Sequence, residues 1–403
     1  MKIQQQILLV FLFTVFTLNI SPAQGVKFNR EFAPAEGFVK PQEKPFREEV
    51  CINGYWQFQP VEMPSTWVSG KGNPPDLTLP KPDKWEIVPI KIPSPWNVNS
   101  VLHDNSGSGM DSRSFPSYPE SWNHVRMGWL QKKVMVPQSW KGKEVFIHLK
   151  AVAGDCRIVV NKKDITLHFD NALPGEYNIT SAIEWGKENE ILLGIRDPKL
   201  YSEKGEYGSY TYPTGSFWLE NAIGVWQDVF LLAKSQIHIS DVFFQPQLDA
   251  DLLVADVVLE NNTNKKQKVD LQIPIYEWIN KTDLSEQNVL KAPEISWELG
   301  EEELRLSSSS IVLEAGQKTT VSLKVEVKGS LKKWELWTRG APNLYTGIAQ
   351  ISTKKEIVDK YYQRFGWRAV KIKDGDFLLN GKRVELRYEG WHFTGTPCMT
   401  RRY

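Results

Sequence analysis

The sequence predicts an all-β protein built from β-sandwiches, and three observations lead to this fold class. Helical periodicity is nearly absent after the first segment, whereas apolar and polar residues alternate with a period of two along many short stretches. Turn-forming pairs such as Asn53-Gly54 and Pro174-Gly175 separate these stretches. Many short strands at this spacing are typical of sandwiches. The length of 403 residues predicts about three domains, at roughly 150 residues per domain.

Charge and composition exclude two classes of protein. The chain carries 49 basic and 48 acidic side chains, so it lacks the basic excess with which nucleic-acid binders track phosphates. We therefore expect no nucleic-acid partner. Hydrophobic residues make up 41% of the chain and charged residues 24%, which argues against disorder as its main state.

Residues 1–23 are predicted to be a signal peptide. Lys2 precedes an apolar run over Ile7–Ile20, and Ser21-Pro22-Ala23 supplies small residues for cleavage. The run is short for a membrane span, which needs about 20 apolar residues, although an uncleaved N-terminal anchor stays an alternative. We expect a secreted or periplasmic protein that has no membrane attachment after cleavage.

Export would place the three thiols of the chain in an oxidising compartment. Cys51 and Cys156 fall in the same predicted domain and could pair, but two buried, small, hydrophobic side chains are the favoured interpretation. Cys398 lacks the His and Asp context of a nucleophile.

The first predicted sandwich occupies residues 26–236. Within Glu144–Val152, apolar side chains alternate with Phe146, His148 and Lys150, which predicts a half-buried strand. Further strands of this kind are expected later in the first unit. The boundary between the first and second units is placed where one apolar stretch ends and the next apolar stretch begins.

Two long irregular stretches, Pro60–Pro82 and Val101–Trp122, interrupt this first unit. Loops of such length are uncommon unless they serve a site, and loops on rigid sandwiches often carry binding residues. The alternative is an excursion that lies on the sandwich surface. The sequence leaves both interpretations open.

The second predicted sandwich occupies residues 237–360, and its size fits an immunoglobulin-like domain of about 100 residues. Its strands are expected to be shorter than those of the first unit. Its middle, Lys281–Ser310, is polar and charged, and the serine run Ser307–Ser310 is interpreted as a loop. Strict alternation over Thr319–Lys328 predicts one of its strands.

No catalytic motif with a fixed local spacing is present. The chain has no Gly-x-Ser-x-Gly elbow, no phosphate-cradling glycine loop and no dinucleotide fingerprint. Its six His residues are scattered without the spacing of zinc ligands, so neither a metal nor a cofactor is expected. The 16 Trp residues suit either sandwich cores or the binding of sugar rings against aromatic faces.

Several short segments, taken in chain order, carry a resemblance. They are Ile52–Phe58 (INGYWQF), Ile92–Asn97 (IPSPWN), Gly128–Pro137 (GWLQKKVMVP), Val159–Lys163 (VVNKK), Gly224–Val229 (GVWQDV), Leu336–Tyr345 and Phe365–Val384. Together they resemble the family 2 glycoside hydrolases, which include β-galactosidases, β-glucuronidases and β-mannosidases. One departure is Lys162, which stands where the family has glycine.

The resemblance implies an architecture and a mechanism. A galactose-binding-like jelly roll would be followed by the immunoglobulin-like sandwich and then by a (β/α)8 barrel, which needs roughly 250 residues. Residues 365–403 provide only 39, so we expect a truncated barrel that is present as its first strand, near Val384–Glu389. The family uses a retaining mechanism with two glutamates on later barrel strands. No catalytic residue is therefore assigned, and the chain alone is expected to be inactive.

The resemblance also implies a sugar-binding segment. Arg387-Tyr388-Glu389-Gly390-Trp391-His392 resembles the family's Arg-Gly-x-x-x-His, although Tyr388 stands where glycine is usual. Ends of barrel strands face the active site. Arg387, Trp391 and His392 are accordingly the expected substrate-binding residues.

The expected function is the N-terminal part of an exported hydrolase of β-linked glycosides, with carbohydrate as its partner. One alternative is a non-catalytic carbohydrate-binding protein of two sandwiches, and another is a purely structural pair of sandwiches. Assembly is common in the family, so a homo-oligomer stays open.

Overall fold

The computed structural model describes residues 27–28, 37–68, 74–97, 118–170, 173–201, 222–282, 296–334, 343–354 and 356–385. The predicted signal peptide lies outside these residues. Strands dominate the described part, where every helical turn is of the 3-10 type.

None of the helices in the described ranges is both long and apolar enough to span a membrane.

The described residues contain twenty-four strands, numbered in chain order. They are β1 (Lys27–Phe28), β2 (Glu48–Cys51), β3 (Gly54–Val61), β4 (Ile90–Ile92), β5 (Ser94–Pro95), β6 (Met127–Met135), β7 (Glu144–Leu149), β8 (Val152–Ala153), β9 (Asp155–Val160), β10 (Lys163–His168), β11 (Gly175–Asn178), β12 (Glu188–Arg196), β13 (Gly224–Val225), β14 (Val229–Lys234), β15 (Ile237–Gln247), β16 (Leu252–Asn261), β17 (Gln267–Asn280), β18 (Trp297–Leu313), β19 (Lys318–Glu326), β20 (Leu344–Thr353), β21 (Glu356–Gly366), β22 (Val370–Lys373), β23 (Asp376–Leu379) and β24 (Lys382–Arg383). The 3-10 turns are Pro41–Glu43, Glu120–His124, Gln138–Trp140, Thr180–Ala182 and Pro198–Tyr201.

The first unit is a sandwich of two large sheets. One sheet has the order β1-β2-β14-β7-β11 and the other the order β10-β9-β12-β6-β3-β4, while β5-β13-β8 forms a small third sheet. The main hydrophobic cluster lies between the large sheets and includes Ile147 and Leu231 from one and Phe58, Leu130 and Ile158 from the other. The all-β fold class predicted from the sequence is confirmed.

The alternating strand Glu144–Val152 is buried on both faces rather than on one. Ile147 points into the sandwich core, whereas Phe146 and His148, on the opposite face, are only 7% and 6% exposed. Phe146 packs with Phe230 in a second cluster on that outer face. The half-buried prediction was therefore wrong for this strand, because another layer of protein covers its outer face.

The excursion Pro60–Pro82 lies, as far as it is described, on the outer face of the six-stranded sheet. Leu77 packs with Trp129 and Leu192 there. Trp129 donates a hydrogen bond from Nε1 to the carbonyl of Thr78 at 2.7 Å. For this loop the surface interpretation describes the packing, although its residues also line a cavity described below.

Much of the other excursion, Val101–Trp122, lies outside the described residues, but its end packs into the core of the first sandwich. Tyr118 and Trp122 are stacked at 5.0 Å between ring centroids, and Trp122 lies 4.5 Å from the ring of Phe58. Trp122 is fully buried, as are Trp56, Trp96, Trp129 and Trp140. Much of the tryptophan excess is thus core packing, in which large rings bury extensive apolar area.

The second unit is a sandwich of three and four strands. The sheet β15-β16-β19 faces the sheet β18-β17-β20-β21 across a cluster that includes Leu253, Ile273 and Ala349. Seven strands in this division are typical of an immunoglobulin-like sandwich. The two units have separate hydrophobic clusters on either side of Gln236, while the exact domain limits stay predictions.

Two expectations for this unit were wrong. Its strands are long, since β17 has 14 residues and β18 has 17. Ser307–Ser310 is part of β18 rather than a loop. Ser307 and Ser308 pair with Gln272 and Leu271, and β18 is an edge strand on which polar side chains reach solvent.

A short three-stranded sheet, β22-β23-β24, follows the second sandwich. Cross-strand pairing places Val370 and Ile372 on one face with Phe377 and Leu379. Val370, Ile372 and Phe377 are 64%, 71% and 43% exposed. Beyond this sheet, residues 384–385 form no strand and the rest of the predicted first barrel strand lies outside the described residues, so the barrel stays a prediction.

The two described cysteines are free and buried, and they belong to different clusters. Cys156 lies in the main core, whereas Cys51 lies on the outer face of its sheet. Burial raises the pKa of Cys51 to about 12 and that of Cys156 well above its usual value. The interpretation as buried hydrophobic side chains is confirmed for this pair.

A buried ion pair joins the two sandwiches. Arg47, just before β2, donates from Nε and Nη2 to the two carboxylate oxygens of Asp359 on β21, at 2.9 and 2.6 Å. The peptide of Ile239 completes the group: its carbonyl accepts from Arg47 at 2.5 Å, and its N–H donates to Asp359 at 2.7 Å. Both charged side chains are almost fully buried, at 4% and 0% exposure.

Glu49 on β2 is another buried carboxylate of the first sandwich. Its Oε2 accepts hydrogen bonds from the backbone N–H groups of Phe38 and Val39 at 2.8 and 3.0 Å, but Oε1 has no hydrogen-bond partner. Burial raises the pKa of Glu49 to about 7, because the two backbone donors only partly offset the loss of water.

Removing Arg47 from the ion pair should destabilise the protein strongly. Arg47→Met leaves the Asp359 carboxylate buried without its partner, and breaking one side of such a pair costs about 3–5 kcal/mol. Arg47→Lys keeps the positive charge but loses the two-pronged contact. Its free energy of unfolding should therefore lie between those of wild type and Arg47→Met. Urea unfolding followed by tryptophan fluorescence measures the effect.

The matched control is Arg305→Met, which breaks the exposed two-pronged pair with Glu302. An exposed pair contributes about 1 kcal/mol or less. Equal losses at Arg47 and Arg305 would show that the buried pair does not hold the sandwiches together.

Glu49 should make stability fall as pH rises. Its folded pKa of about 7 lies above the usual 4.5, so the folded state binds more protons between these values and loses stability as pH increases through that window. Glu49→Gln cannot ionise. We expect its unfolding free energy, relative to wild type, to increase by up to about 3 kcal/mol between about pH 4.5 and about pH 8, since one pKa unit is about 1.4 kcal/mol.

The comparison uses urea unfolding at both pH values, with exposed Glu301→Gln as the control. Because every variant retains the other titrating groups, their contributions cancel in the difference. If the difference in unfolding free energy between Glu49→Gln and wild type were the same at both pH values, Glu49 would be ionised across this pH range.

Candidate functional site

The substrate-binding residues expected from the sequence, Arg387, Trp391 and His392, lie outside the described residues. Their arrangement stays a prediction. Within the described ranges, no group of three or more His, Cys, Asp or Glu residues is placed to hold a metal ion. Among the described residues, one cavity lies in the first sandwich and another lies at the junction of the sandwiches.

The first-sandwich cavity measures about 590 Å3 and opens on the outer face of the six-stranded sheet. Its walls come from the excursion after β3 and from β9, β10 and β12. The lining residues are Asp76, Leu77, Thr78, Arg157, Asp164, Ile165, Thr166, Leu167, Gly194 and Arg196.

Both arginines of this cavity are already engaged. Arg157 donates from Nε and Nη2 to the carboxylate of Asp164 at 2.6 and 2.7 Å, and from Nη1 to the carbonyl of Leu77 at 2.9 Å. Arg196 bonds Asp155 through Nε and Nη2, and Tyr201 through Nη2. Their charge is thus compensated inside the protein, which leaves little for an anionic ligand.

The junction cavity measures about 580 Å3 and takes walls from both sandwiches. Strands β7 and β11, the segment between β13 and β14, and strands β15 and β21 contribute to it. The lining residues are Phe38, His148, Lys150, Ala151, Pro174, Glu176, Trp226, Gln227, Ser240 and Tyr361.

Cross-strand pairing positions the central polar groups of this cavity. His148 on β7 lies directly opposite Glu176 on β11. The Nδ1 atom of His148 lies 3.5 Å from Oε2 of Glu176 and forms no hydrogen bond. Phe38 covers the His148 ring, with 4.2 Å between their centroids. The imidazole is therefore almost fully buried, with its Nδ1 facing the Glu176 carboxylate.

The charges of the junction cavity are paired. Glu176 contacts the ammonium of Lys234, and Lys150 lies 3.1 Å from Oδ2 of the buried Asp228. Burial alone would raise the pKa of Glu176, but the neighbouring His148 ring and Lys234 hold it at about 2. The cavity is therefore polar yet close to neutral.

Neither cavity is equipped for glycoside hydrolysis. A general acid needs a raised pKa, whereas Arg157 lowers the pKa of Asp164 through its hydrogen bonds, and the pKa of Glu176 is also low. The carboxyl group with a pKa of about 7, Glu49, is fully buried. The described side chains favour binding over acid–base chemistry.

Sequence reasoning missed the junction cavity, although one signal pointed to it. The outer face of β7 carries Phe146 and His148 in place of the charged residues usual on a solvated face. The motif Gly224–Val229 supplied Trp226 and Gln227 without indicating what they face. The partners on β15 and β21 are far away in sequence, so no local pattern reveals them.

Comparison with known proteins shows which protein family the chain resembles. Residues 237–368 match the family model for glycosyl hydrolases family 2. A β-galactosidase of Priestia megaterium is 25% identical over 391 residues, which cover 93% of this chain and 33% of that protein. A β-galactosidase of Thermoanaerobacter pseudethanolicus is 26% identical over 306 residues, which cover 75% of this chain and 35% of that protein. The chain spans about a third of the length of these curated relatives.

Solved structures show the same fold. β-Glucuronidase 2 of Bacteroides uniformis aligns with a TM-score of 0.57 at 20% identity, over 85% of this chain and 35% of that one. A β-glucuronidase of Ruminococcus gnavus aligns with a TM-score of 0.54 at 16% identity, over 85% of this chain and 49% of that one. The ordered motifs, the family match over residues 237–368 and relatives that extend over nearly the whole chain together show that the protein is similar to members of family 2 of the glycosyl hydrolases.

Proposed function

We propose that the two sandwiches are the N-terminal part of an exported β-glycoside hydrolase. The observation that supports this most directly is the similarity to β-galactosidases along 93% of the chain, together with the family match over the second sandwich. β-Galactosides are the first substrates to test because the curated relatives named above are β-galactosidases. β-Glucuronides follow, because structural neighbours carry that name.

The proposed reaction is a double displacement with retention at the anomeric carbon. One carboxylic acid protonates the leaving oxygen while a second carboxylate, about 5 Å away, attacks the sugar. The cavity carboxylates Asp164 and Glu176 have lowered pKa values and so do not suit the acid role. Following the family resemblance, we propose that both catalytic glutamates lie on barrel strands beyond residue 403, with Arg387, Trp391 and His392 at the sugar pocket.

In this proposal the sandwiches support the catalytic domain. The exposed apolar face of the β22–β23 hairpin supports such a role, since Val370, Ile372 and Phe377 lie together on it just before residue 384. A contiguous patch of exposed apolar side chains is typical of a surface that contacts another part of a protein or a partner. The covering layer is proposed to be the catalytic barrel.

The activity test compares two lengths of the protein. Residues 1–403 should not release nitrophenol from 4-nitrophenyl β-galactoside or β-glucuronide, whereas a product extended through the coding sequence after codon 403 should do so. That sequence, in the same or a shifted frame, is expected to encode barrel strands bearing two glutamates.

Two results would contradict the proposal. Hydrolysis by residues 1–403 alone would place the catalytic carboxyls within this chain. A stop codon followed by unrelated sequence would leave no barrel to perform the reaction, and a non-catalytic sandwich protein would then be the better description.

Export is tested at the N-terminus. Expressed with its own N-terminus in a Gram-negative host, the protein should appear outside the cytoplasm and begin at Gln24 by mass spectrometry, because Ser21-Pro22-Ala23 precedes the cut. Leu9→Arg places a charge in the apolar run and should block export, whereas Val26→Arg, beyond the run, should not. A cytoplasmic protein that retains Met1 would contradict export.

A further inference from the structure

A buried histidine lies where the two sandwiches meet, and it carries an inference that is independent of hydrolysis. His238 is the second residue of β15 and is only 1% exposed. Phe146 on β7 of the first sandwich packs edge-on against its ring, with 5.6 Å between the centroids. The imidazole is therefore part of the contact between the first and second sandwiches.

The partners of the His238 ring fix which nitrogen carries the proton. Nδ1 lies 3.0 Å from the carbonyl oxygen of Ser235, and a carbonyl only accepts, so Nδ1 is the donor. In the neutral ring Nε2 is then an acceptor, yet it lies 3.6 Å from Oε2 of Glu260 on β16. Two acceptors that face each other repel, whereas a proton on Nε2 would allow a charge-assisted hydrogen bond.

The surroundings of His238 oppose that proton. Burial is the largest cause that lowers its pKa, and the cations Lys234 and Arg47 lower it further. The anions Asp359 and Glu260 act in the opposite direction, but the balance leaves the pKa at about 4. The imidazole is therefore neutral near neutral pH, although Nε2 already faces a carboxylate.

The charged side chains around His238 are already paired with one another. The pairs are Arg47 with Asp359, Lys234 with Glu176, and Lys318 with Glu260. His148 on β7 lies 3.5 Å from the same Glu176. A proton on His238 therefore adds one positive charge to a closed and balanced junction, which is costly unless the surroundings rearrange.

We propose that His238 makes the junction acid-sensitive: when Nε2 takes up a proton, the ring moves to Glu260, its packing against Phe146 is lost, and the sandwiches loosen against each other. Each sandwich keeps its fold, because its own apolar cluster holds it together. The junction is thus a unit that opens before the sandwiches unfold.

The sign of the effect follows from where the proton binds better. In the loosened form His238 reaches water and regains its ordinary pKa of 6.5, whereas the closed form holds the pKa at about 4. The closed form therefore binds fewer protons between these values, and the ratio of loosened to closed protein rises by up to about tenfold for each pH unit lost there. Glu43 accepts from the N–H of Tyr362 on β21 and acts in the opposite direction, because burial raises its pKa.

The test is amide hydrogen exchange on the 403-residue chain, read by mass spectrometry and normalised to the unfolded chain at each pH. The reporter is the segment that contains Ile239, whose N–H donates to Asp359 across the junction. Its protection in wild type should fall by up to about 30-fold from about pH 7.5 to about pH 5, since roughly 1.5 pH units of the window are crossed. Segments from β9 and β17, in the two cores, should keep their protection.

Two variants that cannot take up the proton isolate the role of His238. His238→Asn retains a donor for the carbonyl of Ser235, and His238→Phe retains a ring beside Phe146. Both should keep the Ile239 segment protected at about pH 5, where wild type loses protection. Because both variants retain Glu43 and the other titrating groups, the difference from wild type reports His238 alone. Thermal unfolding confirms that each variant is folded.

The matched control is His168→Asn. His168 is also buried and has a pKa lowered by burial, but it lies on β10 and its Nδ1 pairs with the hydroxyl of Tyr177 at 2.8 Å. This variant should respond to acid as wild type does. Unchanged protection of the Ile239 segment in wild type, the same loss in a folded His238 variant, or an equal loss in β9 and β17 would each overturn the proposal.

Discussion

The buried pair between Arg47 and Asp359 is the constraint on which the relation between the sandwiches depends. Neither charge has access to water, so each requires the other, and the Ile239 peptide supplies both a donor and an acceptor to complete the group. Directional bonds of this kind fix orientation as well as distance. The segment before β2, the start of β15 and the middle of β21 are therefore held in a single arrangement.

That arrangement shapes the junction cavity. Strand β15 has a bulge between Ile239 and Asp241, where the pairing with β16 shifts by one residue. A bulge leaves the extra residue outside the ladder and turns its side chain. Ser240 is this residue and lines the cavity, while Arg47 lies over the Tyr361 ring. The ion pair between Arg47 and Asp359 thus positions the two residues, Ser240 and Tyr361, that the second sandwich contributes to the cavity wall.

Further charged pairs make the junction polar. Lys234 contacts Glu176, while His238 lies 3.6 Å from Glu260, which also pairs with Lys318 at 2.7 Å. Burial and the nearby Lys234 lower the pKa of His238 to about 4. Such groups contribute modestly to net stability, since desolvation offsets their attraction, but they penalise any arrangement that leaves one unpaired. The apolar clusters hold each sandwich together, whereas the polar junction defines how the two meet.

The sequence could predict the strands because their signal is local. Alternation over Thr319–Lys328 corresponds to β19. The motifs likewise indicated the family. What the sequence could not predict depends on partners far along the chain. Arg47 lies in a charged stretch that resembles a solvated surface, and only the fold brings Asp359 to it, 312 residues away.

The same limit explains the errors at Ser307–Ser310 and at β7. A serine run is polar enough for a loop, yet pairing with β17 keeps it extended at an edge. The face of β7 that carries His148 is buried only because Phe38 returns over it and the second sandwich lies beside it. Burial is a property of the assembled layers, so period-two patterns determine which residues share a face but not whether that face meets water.

The described residues form the two sandwiches, but their carboxyl groups Glu49, Asp164 and Glu176 do not have the properties of a catalytic acid. A glycosidase acid must be partly protonated near neutral pH while it touches the substrate. Glu49 meets the first condition but is fully buried, whereas Asp164 and Glu176 reach a cavity but are held ionised by cations. Within the described residues, none of these three carboxyl groups meets both conditions. The same compensation of charge that makes the junction cavity unsuitable for acid catalysis leaves it close to neutral.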